Sequence, residues 1–169
     1  MLTGNNTVTV GGALTNSGTI TLAQTTALSV TGNLNNTGSL TTGAVGGNNS
    51  LTLGSLTNSV TITLHETLLS VVGDFNNTGT FRTASTTGLS IVAVGGSLTN
   101  SGTLNDPGGL DHLFLTVNGN LDNKGWLGIH MGTIGGTVLT RPGRIWPSAS
   151  CNPRSFSAIC DFWSAMRCN

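Results

Sequence analysis

The sequence is short of charge and of tyrosine, and these shortages exclude several classes of protein. Only 7% of its 169 residues are charged, the formal net charge is zero and tyrosine is absent. Disordered chains combine low hydrophobicity with high net charge, whereas 37% of these residues are hydrophobic. No basic stripe is present that would neutralise phosphates, so we expect no nucleic-acid partner. No apolar run reaches the roughly 18 residues of a transmembrane helix, so we expect no membrane insertion by this segment.

The first twelve residues do not have the pattern of a secretory signal. The first residues, MLTGNNTVTVGG, contain no basic n-region followed by an apolar h-region. They already look like the repeat that fills most of the chain. We therefore expect this chain to be a fragment of a longer protein.

One nine-residue pattern recurs along most of the chain. GALTNSGTI at 12–20 returns as GNLNNTGSL, GSLTNSVTI, GDFNNTGTF, GSLTNSGTL and GNLDNKGWL. The steps between the central asparagines are 20, 22, 19, 23 and 23 residues. A period of about 21 residues is typical of repeat proteins in which each unit stacks on the next. The central asparagines are Asn16, Asn36, Asn58, Asn77, Asn100 and Asn123.

Within each unit, apolar and polar residues alternate. Leu28 and Val30 are one such apolar pair, whereas in the third unit the pair is Leu51 and Leu53, displaced by one position from the motif. Alternation with period two predicts strands with one buried face, and threonine and valine favour strands. One unit has too little surface to bury that face alone. We therefore predict an all-β fold, a parallel β-helix (β-solenoid) of about six coils over residues 1–140.

The repeated asparagines lie an even number of residues from the inward leucines, so they should face the same side of the strand. Stacked amides can hydrogen-bond along a column, as they do in other stacked β architectures. The pattern favours a structural asparagine ladder at a turn. The alternative is that these asparagines bind a ligand.

The outward positions of the motif are rich in hydroxyl groups, and we expect them to form one flat face. Such residues cover an exposed parallel sheet well. The functional alternative is a surface that orders water, as the threonine arrays of β-solenoid antifreeze proteins do. The candidate binding face consists of Thr15, Ser17, Thr19, Thr37, Thr57, Ser59, Thr61, Thr78, Thr80, Thr99, Ser101 and Thr103.

The sixth unit interrupts this pattern with Asp122, Lys124 and Trp126. An exposed tryptophan can stack on a sugar, but a single aromatic side chain is equally compatible with packing under the C-terminal tail.

Carboxylates suited to catalysis are sparse. Carbohydrate-active enzymes need carboxylates close together, with a base or nucleophile between them. His65–Glu66 and Asp111–His112 occupy matching places, but in coils two levels apart, or about 10 Å. We assign no catalytic residue, and these four would be the first to mutate if there were a site. The sequence has neither the calcium-binding nonapeptide nor zinc-ligand spacing, so we assign no metal ligand and no cofactor.

The repeats GALTNSGTITL, TGNLNNTGSL and VGGSLTNSGTL resemble those of bacterial filamentous haemagglutinin-type exoproteins and autotransporter passenger domains. The resemblance covers about residues 1–140. It implies a right-handed parallel β-helix, the hand that parallel crossovers also favour. It implies a non-catalytic structural or adhesive rod, extracellular or on the bacterial cell surface. Its partner would be a host or cell-surface protein or glycan, and further repeats of the parent chain would stack on its ends. The alternatives are a fragment of a carbohydrate-active β-helix enzyme and an ice- or surface-binding threonine-array module.

A compositional change at residue 141 predicts a boundary between the solenoid at 1–140 and a tail at 141–169. The tail holds four of the six Lys and Arg residues and all three cysteines, whose odd number identifies no redox compartment. It is either a short capping helix starting at Asn152–Pro153 or a disordered or artefactual translation product. The cysteines are Cys151, Cys160 and Cys168, and the apolar face of that helix would be Phe156, Ile159, Cys160, Trp163 and Met166.

Overall fold

The computed structural model describes residues 6–23, 26–43, 48–84, 88–105, 112–129, 131–140 and 145–147. For residues 112, 131 and 145–147 the backbone alone is described. Within these ranges the chain forms nineteen strands and no helix. In chain order they are β1 (Asn6–Val10), β2 (Leu14–Asn16), β3 (Thr19–Leu22), β4 (Thr26–Asn36), β5 (Ser39–Thr42), β6 (Asn49–Asn58), β7 (Thr61–Leu64), β8 (Thr67–Val71), β9 (Phe75–Asn77), β10 (Thr80–Thr83), β11 (Leu89–Val94), β12 (Leu98–Asn100), β13 (Thr103–Leu104), β14 (His112–Val117), β15 (Leu121–Asn123), β16 (Trp126–Ile129), β17 (Met131–Ile134), β18 (Val138–Thr140) and β19 (Ile145–Pro147).

The strands pair in parallel and form three stacks. Stack A contains β1, β8, β11, β14 and β17, and stack B contains β2, β9, β12, β15 and β18. The long strands β4 and β6 run through both, so A and B belong to one twelve-stranded sheet. Stack C is a separate seven-stranded sheet of β3, β5, β7, β10, β13, β16 and β19. Each coil passes through A, B and C before the chain returns to A. The prediction of an all-β parallel solenoid of about six coils with a period near 21 residues is confirmed.

The core consists of apolar columns that run along the inside of the stacks. In stack B, Leu34, Leu56 and Phe75 lie in register and are fully buried. In stack C, the equivalent column passes through Ile62 and Phe81. Burying one such side chain stabilises the fold by about 1.5–3 kcal/mol. The alternating sequence therefore builds a continuous core only when the coils stack.

The displaced pair Leu51 and Leu53 keeps its place in the core. Leu51 pairs with Leu28, Leu53 pairs with Val30, and both leucines are buried. The register between β4 and β6 shifts between Val30 and Asn33. The third coil is therefore one residue shorter at the corner between stacks A and B, and its strand runs through that corner without a break.

The same corner is built from glycine in all seven levels of the described chain. A Cβ added at Gly54 would lie 2.2 Å from the carbonyl oxygen of Thr31, because neighbouring backbones approach very closely here. The close approach allows backbone bonds such as the one from Gly73 N to Gly54 O, at 2.7 Å. The column consists of Gly12, Gly32, Gly54, Gly73, Gly96, Gly119 and Gly136.

Parallel pairing continues past residue 140. Strand β19, Ile145–Pro147, pairs with β16, so part of the predicted tail segment adds a strand to stack C. The predicted capping helix with its apolar face, and Cys151, Cys160 and Cys168, lie outside the described residues.

Candidate binding surface

The motif asparagines form a column at the corner between stacks B and C. The side-chain Nδ2 of Asn16 donates to Asn36 Oδ1 at 2.7 Å, and Asn36 Nδ2 donates to Asn58 Oδ1 at 2.9 Å. The chain of bonds continues to Asn77, Asn100 and Asn123 at 2.7–2.8 Å. Each Nδ2 from Asn16 to Asn100 also donates to a backbone carbonyl of the following coil, such as that of Thr61. This arrangement is a continuous amide ladder.

The ladder lies inside the rod. Five of its six asparagines are fully buried and Asn16 is 5% exposed. No buried side-chain nitrogen or oxygen of the described residues lacks a hydrogen-bond partner. The amides therefore hold neighbouring coils together, and a ligand outside the rod has no direct access to them.

The predicted hydroxyl face is divided between two sheets, so the expectation of one flat surface is wrong. Its residues form three columns, one on stack B, one on the turn and one on stack C. On stack B the order is Thr15, Asn35, Thr57, Asn76 and Thr99. On the turn it is Ser17, Thr37, Ser59, Thr78 and Ser101. On stack C it is Thr19, Ser39, Thr61, Thr80 and Thr103.

The turn hydroxyls have a structural partner. Thr37 Oγ1 donates to the carbonyl of Asn16 at 3.1 Å, and Ser59 Oγ donates to that of Asn36 at 3.2 Å. Because these hydroxyl protons bind the preceding coil, they stabilise the stacking as well as covering the surface.

A second hydroxyl column on stack C consists of Thr21, Thr41 and Thr63. These three threonines are not among the predicted residues. They follow the inward residue of each unit in TIT, SLT and TIT, and that alternation is the signal that identifies them. With the neighbouring column they give three successive coils two hydroxyls each. Arg82 ends the second column, with its Nε 3.3 Å from Thr63 Oγ1.

The sixth coil replaces all three hydroxyl columns at once. Asp122 lies on stack B, Lys124 on the turn and Trp126 on stack C. Lys124 Nζ contacts Asp122 Oδ2 at 2.8 Å, and the two side chains are 53% and 33% exposed. An open cavity of about 360 Å³ is lined by Asp122, Asn123, Lys124, Leu139 and Thr140, and Leu139 is 61% exposed. The sixth coil therefore carries opposite charges beside an exposed apolar side chain of the following coil.

Stack A carries an outward apolar column that the sequence pattern does not predict. Leu68, Ile91 and Phe114 lie in register, and Leu89 is adjacent on β11. Leu68, Leu89 and Ile91 are exposed and Phe114 is half-buried. The signal in the sequence is an apolar residue directly before the first inward apolar residue of the strand, as Leu68 before Leu69 and Ile91 before Val92.

The first acid–histidine pair takes part in packing between coils. The backbone N–H of His65 donates to Thr42 Oγ1 at 2.8 Å, and its ring Nδ1 lies 2.9 Å from the Thr42 carbonyl oxygen. Glu66 has a φ of 43°, and a Cβ added at Gly88 would lie 2.2 Å from its Cγ. The Glu66 side chain therefore covers the next coil where that coil has glycine.

The second pair is described only in part. Asp111 lies outside the described residues, and the backbone of His112 is in register with Leu89. In the described part of the chain, no group of three or more His, Cys, Asp or Glu side chains is placed to hold a metal ion.

The chain matches no protein-family model, no curated protein and no solved structure. None of the described segments is a helix long and apolar enough to cross a membrane.

Proposed function

We propose that this chain is a non-catalytic segment of a bacterial exoprotein, secreted or displayed on the cell surface, that binds its partner through outward side chains of a rigid rod. The likeness of its repeats to those of filamentous haemagglutinin-type and autotransporter passenger proteins supports this proposal. The partner is a host or cell-surface protein or glycan.

The contrast between inner and outer columns carries the proposal. In stack B the inner column keeps Leu or Phe from the second coil to the sixth, whereas the outer column changes from Asn35 and Thr99 to Asp122 and Leu139. The stacking surfaces are thus held constant while the exterior varies. A scaffold of this kind places different side chains at fixed spacings of about 4.8 Å.

The sixth coil is the place on this exterior where we expect the strongest contacts. Residues that supply much of the binding energy at protein interfaces are enriched in tryptophan, tyrosine and arginine. Asp122, Lys124 and Trp126 bring a carboxylate, an amine and an indole to one coil, beside the exposed Leu139.

Beads coated with the purified chain test this proposal against cultured epithelial cells and a printed glycan array. The variant D122T/K124S/W126T gives the sixth coil the outward residues of the fifth, namely Thr99, Ser101 and Thr103. We expect it to bind at least about tenfold more weakly, a difference of about 1.4 kcal/mol.

The matched control changes the same three positions in the third coil, as T57A/S59A/T61A, and should bind like the unchanged chain. The proposal is wrong if the unchanged chain binds no more than uncoated beads. It is equally wrong if the sixth-coil variant binds as well as the unchanged chain.

The accessible hydroxyls of the two columns of stack C favour a second candidate function, the binding of ice. They are Thr19, Thr21, Ser39, Thr41 and Thr61, whereas Thr63 is buried. The two columns place hydroxyls about 4.8 Å apart between coils and about 6.6 Å apart along a strand. Thermal hysteresis and ice-crystal shape measure this activity. Thr41→Leu, in the middle of the array, should abolish it, whereas Thr52→Leu on stack A should not. Freezing without hysteresis for the unchanged chain would exclude this candidate.

A further inference from the structure

Stack A carries an apolar column on its outer face, and this column is confined to the later coils. From β1 to β17, the backbone positions that lie in register are Thr7, Ala27, Ser50, Leu68, Ile91, Phe114 and Met131. The first three residues are small or polar, whereas the four from Leu68 to Met131, the apolar column, are large and apolar. Leu68 and Ile91 are 49% and 44% exposed. Neighbouring apolar side chains on an outer face are typical of a docking site.

The surface beside the apolar column carries no charge. The neighbouring outward column of stack A consists of Ser29, Thr52, Ser70, Ala93, Thr116 and Thr133. Leu89, on the other side of Ile91, is exposed. None of these described positions holds Asp, Glu, Lys or Arg. The face therefore fits an apolar surface and offers no ion pair to a charged partner.

The described chain leads to the end of the same column. In the sixth coil, stack C ends at Ile129, and stack A resumes two residues later at Met131. Pro147 pairs with Ile129 one level further along the rod. The same spacing would bring residue 149 into line after Met131. The segment 148–169 therefore begins beside the end of the apolar column.

The segment 148–169 lies outside the described residues, and its sequence does not continue the repeat. It contains no glycine, the residue that forms one column through every described level. The helix predicted from Asn152–Pro153 would place Arg154 and Asp161 on one side. Its apolar residues would lie on the other side, namely Phe156, Ile159, Cys160, Trp163 and Met166. A helix this short is marginal in water unless it docks.

The length of the predicted helix matches that of the column. Residues 153–166 would span about 21 Å as a helix. From Leu68 to the position after Met131 there are four steps between coils, or about 19 Å. The five residues 148–152 can reach about 17 Å when extended, which is enough to turn the chain back along the rod.

We infer that the segment 148–169 folds back along stack A, and that a helix at 153–166 covers the apolar column. The burial of Leu68 and Ile91 against the apolar side of the helix drives this contact. The contact belongs to stack A, so it does not rest on the proposed binding through the sixth coil.

Disulfide trapping in the full chain tests this inference. The variant C151S/C168S/T116C retains Cys160 on the predicted helix and adds one thiol at an exposed position beside the apolar column. Cys160 would lie about 10 Å along the helix from Pro153, and Thr116 lies about 10 Å before the position that follows Met131. With dilute protein and diamide as the oxidant, we expect a disulfide within one copy, identified by mass spectrometry of non-reduced peptides.

Two further pairs of substitutions separate docking from tethering. In this background, L68S/I91S introduces the residue that the third coil already has at Ser50, so the fold should tolerate it. The matched control is V60S/V72S, because Val60 and Val72 are also exposed but lie outside the column. We expect L68S/I91S to slow the disulfide at least about tenfold, because the helix loses its apolar contacts. The control should leave the rate unchanged, and both proteins should keep the strand signal in circular dichroism.

Three results would overturn the inference. Equal rates in all three proteins would mean that the segment is tethered near stack A without docking there. Absence of the disulfide would place the segment elsewhere, such as over the end of the rod. A disulfide between two copies in place of one within a copy would mean that a second copy covers this face.

Discussion

At the residue scale, the fold separates neighbouring side chains of the same type. Asn76 and Asn77 are adjacent in sequence, but Asn76 is exposed on stack B and Asn77 is fully buried in the ladder. Asn77 accepts from Asn58 and donates to Asn100. Substituting each of the two residues in turn therefore separates the effect of breaking the ladder from the effect of losing an amide side chain.

Replacing Asn77 by alanine should lower the free energy of unfolding by at least about 2 kcal/mol. The change removes the acceptor of one Asn58 Nδ2–H and the side-chain donor to Asn100 Oδ1, and each buried group left unpaired costs about 1–3 kcal/mol. Asn76→Ala should stay within about 0.5 kcal/mol of the unchanged chain. Urea unfolding measures both values. Equal stability of the two variants would mean that the ladder does not hold the coils together.

The glycines of the turn between stacks B and C should also differ by position. A Cβ added at Gly102 would lie 2.0 Å from the carbonyl oxygen of Gly79, whereas one at Gly18 has nothing within 4 Å. Gly102→Ala should cost about 3 kcal/mol, because backbone has to move to relieve the overlap. Gly18→Ala should leave stability unchanged or raise it by up to about 1 kcal/mol.

Thermal unfolding at low protein concentration compares these two variants. Val60 occupies the same turn position in the third coil and is exposed. If Gly102→Ala were as stable as the unchanged chain, the turn would tolerate a side chain in every coil as it does there.

At the scale of elements, the sequence predicts the strands and the position of the asparagine ladder well, because both follow from the alternation of side chains between the two faces of a strand. Leu28 and Val30 alternate with polar residues, and Asn36 lies two residues after Leu34 on the same strand. This alternation gives no information on how sharply the chain turns after the asparagine. The hydroxyls on either side of that turn therefore belong to different sheets, although the sequence pattern predicts one flat face.

A second buried polar column has no repeated sequence signature. It passes through Thr26, Asn49, Thr67 and Ser90 in stack A before an apolar residue, Leu113, takes the position. Asn49 Oδ1 accepts from the backbone N–H of Thr26 at 3.1 Å. Because different residue types fill one structural place, a comparison of repeats does not identify it.

The fourth coil offers a test of packing between strands β9 and β10. Phe75 and Phe81 contact each other edge to face, with ring centroids 5.2 Å apart, and both are fully buried. In the fifth coil the same two positions are Leu98 and Leu104. Leucines at both positions are therefore compatible with the fold.

A double-mutant cycle should show that the two rings are coupled. Phe75→Leu and Phe81→Leu each remove the aromatic contact, so the double variant should lose about 0.5–1.5 kcal/mol less than the sum of the single losses. Urea unfolding provides the four values. Phe81→Leu combined with Leu28→Ala, two coils away, should be additive. Additivity of the phenylalanine pair as well would show that its ring contact adds nothing beyond burial.

At the scale of the whole molecule, each coil contacts the coils before and after it, so stability is expected to vary along the rod. Interior coils bury their columns completely, whereas Val10, Leu14 and Ile20 in the first coil are half-buried. Local opening is easiest where few buried contacts are lost. The first coil should therefore open independently of the interior.

Hydrogen exchange followed by mass spectrometry measures this gradient. Amides of β1, β2 and β3 should be protected at least about tenfold less than those of β9 and β10, since opening the first coil breaks contacts on one side only. Uniform protection along the chain would mean that the rod unfolds as one cooperative unit, with no independent opening of the first coil.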